Sequence, residues 1–268
     1  MLIDTHCHLD DRRLDADRDA VVARARKAGV QRIVVPAVDV NNFCAVRDVA
    51  HAFDGGAYAL GIHPIAVPHA QPADLDALET AIQAALDDPR FVAVGEIGLD
   101  FFIPELKTPA MQEKQEAFYD AQLKLAETYN LPVILHVRRS QDRILKYLRR
   151  RTSVQGIAHA FNGSFDQAQV FIDLGFALGA GGALTYTRAR QIRRLVTELP
   201  LEHWVLETDA PDIPPAWLTG TPDTPPRNEP AEVARIAQTL AQLRDVSVEH
   251  LQTTTAQTVQ RVLPRLFQ

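Results

Sequence analysis

The chain has 268 residues, 46% of them hydrophobic, and a formal net charge of -6. That length and apolar content suit one large α/β domain over residues 1–268, and the net acidity excludes a protein that coats nucleic acid through a global basic field. Two cysteines, Cys7 and Cys44, exclude a disulfide framework, and no leader or membrane-length apolar run is legible, so a cytoplasmic setting is expected.

The organisation is a repeated strand then helix. Leu2 to His6 reads as the first strand, continued to His8, with Asp4, His6 and His8 on one face and Ile3, Thr5 and Cys7 on the other. Asp4 would then orient an imidazole from one pleat below. A helix over Asp17 to Ala28 is stopped by Gly29, and Arg32–Pro36 is a short buried strand. Asn41 or Asn42 caps a helix carrying Phe43, Val46 and Ala50 inward. Ala57–Gly61 is a third strand and Pro72–Leu86 a helix. Phe91–Glu96 is a fourth strand, and Met111, Phe118, Ala121 and Leu125 mark the helix after it. Pro132–His136 is the clearest buried parallel strand. Helices at Gln141–Arg150, Phe165–Leu174 and Arg188–Thr197 alternate with strands at Gly156–His159, Phe176–Gly179 and Trp204–Glu207. A Pro-rich loop from Ala210 to Pro230 precedes a helix with Val233, Ile236, Ala237 and Leu240 on one stripe, and a last helix runs from Ser247 to Leu263. Eight strands alternating with helices predict a (β/α)8 TIM barrel. The rival, a doubly wound open sheet, lacks its glycine-rich dinucleotide fingerprint after the first strand.

Barrel function sits where strands run out at their C-terminal ends. Those ends carry His6 and His8, His63, Glu96, His136, His159, and Glu207 with Asp209. Any single histidine reads equally well as a hydrogen-bonded core residue, but the set reads as a metal site. Six ligands, His6, His8, Glu96, His136, His159 and Asp209, exceed the roughly three that one open catalytic zinc uses, and suit two divalent ions about 3.5–4 Å apart. Glu96 is the expected bridge, shared by His6, His8 and Asp209 on one ion and by His136 and His159 on the other.

These residues lie in stretches that resemble a known family. Asp4-Thr5-His6-Cys7-His8-Leu9, Gly61-Ile62-His63-Pro64, Gly95-Glu96-Ile97-Gly98-Leu99-Asp100-Phe101, His136-Val137-Arg138, His159-Ala160-Phe161-Asn162-Gly163, Glu207-Thr208-Asp209-Ala210-Pro211 and Arg227-Asn228-Glu229-Pro230 resemble the TatD family of metal-dependent deoxyribonucleases. The Glu207–Asp212 version is most similar to its YjjV-like branch. The resemblance implies a TIM-barrel metallohydrolase that cuts DNA phosphodiesters, often from an end, and it implies the same six ligands. Asn162 stands where many members carry Ser. Glu96 stands where the broader amidohydrolase group often has a modified Lys, which argues against a dihydroorotase-like reading.

The chemistry expected is attack of a metal-activated water on phosphorus. Asp209 is the candidate base, Glu207 orients the water or a ligand, and His63 holds a phosphate or protonates the leaving oxygen. Arg138 and Arg227 clamp phosphate or form ion pairs, Arg138 with Asp100. Gly179 to Gly182 presents backbone N–H groups or only a tight turn. Basic runs at Arg149–Arg151 and Arg188–Arg194 read as solvated helix faces. Cys7 and Cys44 read as small core residues. Phe101, Phe102, Phe161, Tyr186 and Trp217 are candidate stackers for single-stranded DNA or DNA ends. Zn, Mn and Mg are the candidate ions. Competing functions are an amide or ester hydrolase on the same metal pair, of aminoacyl-tRNA deacylase type, and a low-turnover metal-binding interaction protein.

Overall fold

Runs of aliphatic residues too short for helices hydrogen-bond side by side, each strand parallel to the one before it, in the order β1 to β8. The strands are β1 (Leu2–Asp4), β2 (Val30–Pro36), β3 (Gly56–Leu60), β4 (Phe91–Asp100), β5 (Val133–Arg138), β6 (Gly156–His159), β7 (Ala177–Ala180) and β8 (Trp204–Leu206). The computed structural model describes residues 1–221, 224 and 226–268. Within the Pro-rich loop, Pro222, Asp223 and Pro225 lie outside the described residues.

Thr5 N donates to Leu206 O at 3.0 Å, Asp209 N to His6 O at 2.8 Å and His8 N to Ala210 O at 2.8 Å, so the last strand returns to the first. Sequential order plus this closure makes a (β/α)8 barrel, and the open doubly wound sheet is excluded. The helices between strands are α1 (Arg18–Lys27), α2 (Phe43–His51), α3 (Pro72–Ala85), α4 (Pro109–Thr128), α5 (Gln141–Leu148), α6 (Phe165–Asp173) and α7 (Arg190–Glu198), followed by α8 (Val233–Arg244) and α9 (Val248–Val262). Their starts follow capping chemistry: Ser164 and Gln167 form a capping box on α6, and Thr108 and Ser247 accept backbone N–H groups at the starts of α4 and α9.

Two apolar layers result. Small and branched inward residues, among them Ile3, Val34, Ala59, Ala93, Ile134 and Ile157, fill the barrel, and Val262, Leu263 and Leu266 from the chain's end close its lower mouth. Outward strand residues pack against the helices, with Trp204, Phe91 and Tyr119 fully buried. None of the described helices is long and apolar enough to cross a membrane.

Four expectations change. Strict alternation from Leu2 to His8 fails: Ile3 lies inside the barrel and Cys7 in the outer layer. The strand ends at Asp4, whose carboxylate accepts His6 N at 3.3 Å and bends the chain. Asp4 therefore orients no imidazole; it also accepts Thr208 N at 2.9 Å and Thr208 Oγ1 at 2.5 Å, tying β1 to the end of β8. The buried stripe of α4 is Gln115, Phe118, Tyr119, Gln122, Leu123 and Ala126, with Met111, Ala121 and Leu125 only half-buried. Its glutamines go inward because they satisfy backbone: Gln122 accepts Ile62 N at 2.7 Å and donates to Ile62 O at 3.1 Å, and Gln115 accepts Asp100 N at 2.9 Å. Cys44 is exposed, on the solvent side of α2.

Candidate metal centre

The upper mouth of the barrel opens into a cleft of about 1300 Å³ with the strand-end residues on its floor. Local backbone decides which of them point inward. In β5, Ile134, His136 and Arg138 share the inner face by simple alternation, and in β6 Ile157 and His159 do the same. β4 needs a correction to its alternation, because Glu96 would otherwise follow Val94 to the outer layer. Gly95 pairs with Ile134 and Ile97 with Leu135, so Glu96 is an extra residue, a bulge that turns its carboxylate into the barrel. The same shift brings Asp100 inward at the strand's end, where only 1% of it is exposed.

Glu96 sits between two groups of donors. Its Oε2 lies 3.0 Å from His6 Nε2 and 3.6 Å from His8 Nε2, while Asp209 Oδ1 is 3.5 Å and 3.6 Å from the same nitrogens. Its Oε1 lies 2.9 Å from His136 Nδ1 and 3.4 Å from His63 Nε2. His159, expected to share an ion with Glu96 and His136, pairs with His136 in register, while its ring stacks on His6 at 3.6 Å between centroids and its Nε2 is 3.5 Å from Asp209 Oδ1. Among the described residues, proximity thus yields three overlapping ligand groups: His6, His8 and Asp209; His6, Glu96 and His159; and His63, Glu96 and His136.

The hydrogen bonds around each ring sort these further. Ile65 N donates to His63 Nδ1 at 2.9 Å, so neutral His63 carries its proton on Nε2, the nitrogen that faces the centre. His63 is therefore built as a donor, not a ligand. His136 shows the opposite arrangement. Its Nε2 lies 3.0 Å from Asp100 Oδ2, which places the proton there and leaves the Nδ1 lone pair toward Glu96. His159 Nδ1 lies 3.1 Å from Glu207 Oε2, an ion-pair contact, and its Nε2 is left toward Asp209. Glu207 Oε1 is fixed by Ala160 N at 2.6 Å. Gly179 is glycine because a Cβ there would fall on the Glu207 carboxylate, which accounts for that small-residue run better than a phosphate cradle does.

Electrostatics follow from burial of this cluster. Desolvation disfavours protonated His8 and His159, yet neighbouring carboxylates prevail and raise them to about 9 and about 10; Glu96 and Asp209 act on His8, and Glu207 and Asp209 on His159. Burial and the His159 charge push His6 well down. Glu96 is held well below the usual carboxylate range, because the imidazoles of His6, His63 and His136 overcome its desolvation. Burial raises Asp209 to about 6, against the opposing pull of His159 and His8. A cluster that draws protons onto buried imidazoles between carboxylates is one that favours cations. The converging Nε2 and carboxylate atoms are a nitrogen–oxygen donor set, so the residues present fit divalent ions.

The cationic candidates divide. Arg138 lines the cleft, 3.8 Å from Asp100 Oδ2. Arg227 does not line it: its guanidinium is committed to Asp17 at 2.7 Å and Glu229 at 2.8 Å, so the ion-pair reading replaces the phosphate clamp. No arginine of the 188–194 run lines the cleft, and Arg194 pairs with Glu198 at 2.9 Å. Asn162 lines the cleft, its carbonyl taken by Gln141 Nε2 at 2.6 Å. Sequence reading paired Asp100 with Arg138 and missed its hold on His136; the signal was its place four residues beyond Glu96 on the same strand.

A family model described as TatD related DNase matches residues 3–264. An uncharacterized metal-dependent hydrolase of Escherichia coli (strain K12), YjjV, is 40% identical over 243 residues, 90% of each chain. The protein of Klebsiella pneumoniae (strain 342) named 3'-5' ssDNA/RNA exonuclease TatD is 33% identical over 257 residues, 95% of this chain and 94% of that one. The crystal structure of YjjV, a TatD homologue from Escherichia coli K12, superposes with a TM-score of 0.89 at 37% identity, covering 98% of both chains.

Proposed function

Since the chain belongs to the TatD-related DNase family and is a metal-dependent hydrolase, we propose that it is a deoxyribonuclease that hydrolyses DNA phosphodiesters, acting on single strands or DNA ends as an exonuclease. The observation that carries this reading is the Glu96 carboxylate. One oxygen faces His6 and His8 and the other faces His136, at the floor of a cleft larger than the roughly 300–1000 Å³ of small-molecule pockets. We read the chain as one catalytic domain. A reducing, cytoplasmic setting suits its two free thiols.

His6, His8, Asp209 and Glu96 would hold one divalent ion, and Glu96 and His136 a second, with His159 supplying a further nitrogen at the boundary between them. When bound, such ions supply positive charge to phosphoryl oxygens and acidify water; Zn, Mn and Mg all meet that need. Asp209, as ligand and neighbour of the attacking water, accepts its proton. His63 donates from Nε2 to a phosphate oxygen or to the leaving oxygen, because Ile65 N–H occupies its other nitrogen. Glu207 and Asp100 position His159 and His136.

The test is cleavage of a 5′-labelled single-stranded DNA oligonucleotide by metal-stripped protein reloaded with Mg, Mn or Zn. A metal-dependent ladder that Glu96→Ala abolishes supports the reading, and its pattern separates exonuclease from endonuclease. No cleavage by protein shown to hold metal overturns it and directs attention to ester and amide substrates.

A further inference from the structure

Among the described residues, three large hydrophobic side chains are exposed, Met1, Ile65 and Phe102, and two of them line the cleft. Ile65 and Phe102 lie on the loops that follow β3 and β4, which are neighbouring strands. An apolar side chain left in water at the rim of a polar site loses its burial energy unless something covers it. Phe102 is 41% exposed, and two cations attend its ring: the guanidinium carbon of Arg138 is 4.0 Å from the centroid and that of Arg139 is 4.9 Å. Both arginines also line the cleft.

The other aromatic candidates are otherwise engaged. Phe161 is buried, Tyr186 donates its hydroxyl to Pro214 O at 3.0 Å, and Trp217 donates to Glu232 at 2.6 Å. Phe101 is packed against the core.

The Phe102 turn is rigidly tied to the metal centre. Asp100 Oδ1 accepts Phe102 N at 2.8 Å and Ile103 N at 3.0 Å, while Asp100 Oδ2 faces His136 Nε2 and Arg138 Nη1. One carboxylate therefore sets the position of an aromatic ring, a guanidinium and an imidazole of the centre. Asp10, Asp11 and Asp212 also line the cleft, and Asp11 and Asp212 hold the Arg13 guanidinium between them at 2.8 Å and 2.7 Å. Among the lining residues Arg138 and Arg139 are the guanidinium groups, and they offer the counter-charge to a chain of phosphates.

We propose that Phe102, with Arg138 and Arg139, forms a nucleotide subsite in which an unpaired base stacks on the ring and guanidinium groups while the arginines pair with the adjoining phosphates. The inference rests on the nucleic-acid reading of the site and adds to it where the strand lies and why single strands are taken. A base inside a duplex keeps its faces covered by its neighbours and has none to offer Phe102. Stacking of this kind tolerates every base, so the subsite confers little sequence preference.

The test uses the metal-free full chain and two labelled ten-nucleotide oligomers of equal charge, one of thymidine and one fully abasic, with affinity read by fluorescence anisotropy. Wild-type protein is expected to bind the thymidine oligomer about tenfold more tightly than the abasic one, the size of one stacked base. Phe102→Ala removes that difference by weakening the thymidine oligomer alone, Phe102→Trp restores it, and Arg139→Gln weakens both oligomers alike and flattens the salt dependence. Phe102 is exposed, so an unchanged melting temperature in Phe102→Ala checks folding. Equal affinity of wild type for the two oligomers, or a difference that survives Phe102→Ala, overturns the subsite. Metal-dependent cleavage of the thymidine oligomer, measured alongside, judges the nuclease reading separately.

Discussion

Glu207 has 1% of its surface exposed, and its carboxylate faces the ring of His159, a proposed ligand. Its Oε1 is pinned by Ala160 N–H, and its Oε2 faces His159 Nδ1 at 3.1 Å, so the charge sets the proton on that side of the ring. Loss of such an outer partner typically weakens metal affinity about 10–100-fold. Glu207→Gln is expected to fall in that range for Zn or Mn, measured by competition with a chelating dye. Gly179→Ala is expected to act in the same direction, because the added methyl displaces the carboxylate. Unchanged metal affinity in both variants would remove Glu207 from the centre and leave it a packing residue.

Some elements carry the site by regular alternation, as β5 and β6 do, and β4 by a break in it at Glu96. Gln122 reaches from α4 to hold both backbone groups of Ile62 just before His63. Gln122→Leu keeps the volume but orphans a buried N–H and a buried C=O, at a cost of roughly 1–3 kcal/mol for each. A melting temperature lower by several degrees is expected, and an unchanged one would show that Ile62 finds other partners. On the barrel's side, Arg24 and Arg227 bracket Asp17 and Glu229, joining α1 to the chain after β8. Hydrogen bonds from Arg227 and Arg24 lower Asp17, and burial of Glu229 is outweighed by the same two guanidinium groups, which lower it too. A carboxylate depressed in the folded state stabilises above its unfolded pKa, about 4, and that contribution is lost as pH falls. The melting temperature is expected to drop on acidification below about pH 5, and less steeply in the double variant Asp17→Asn, Glu229→Gln. Parallel pH profiles would contradict this.

The same element scale separates what was legible in the sequence from what was not. Alternation in β5 and β6 places His136 and His159 inward without help, and the stripe Val233, Ile236, Ala237 and Leu240 is buried as its spacing predicts. Glu96 was legible as a strand-end carboxylate, but its direction depends on a bulge, a pairing event that a period-two pattern does not contain. The inward glutamines of α4 were invisible for a related reason: their partners, Ile62 and Asp100, lie on other elements. Arg227 stayed open between a phosphate clamp and an ion pair, because Glu229 is near it in the sequence but its other partner, Asp17, is far away. His63 was legible as a site residue, and its tautomer became readable only once Ile65 N–H was placed beside Nδ1.

For the whole molecule, the barrel gathers residues of β4, β5 and β6 and of the segments just after β1, β3 and β8 onto one floor, in a cleft that Arg138 and Arg139 also line. The carboxylate common to both donor groups is Glu96, and a centre of two ions bridged by that side chain is the core of this reading. The most direct measurement is the number of tightly bound divalent ions per chain, by elemental analysis of protein loaded with Zn or Mn and desalted, in wild type and Glu96→Ala. Two equivalents in wild type and the loss of at least one in Glu96→Ala are expected. Saturation of wild type at a single equivalent, or two equivalents retained without Glu96, would contradict it.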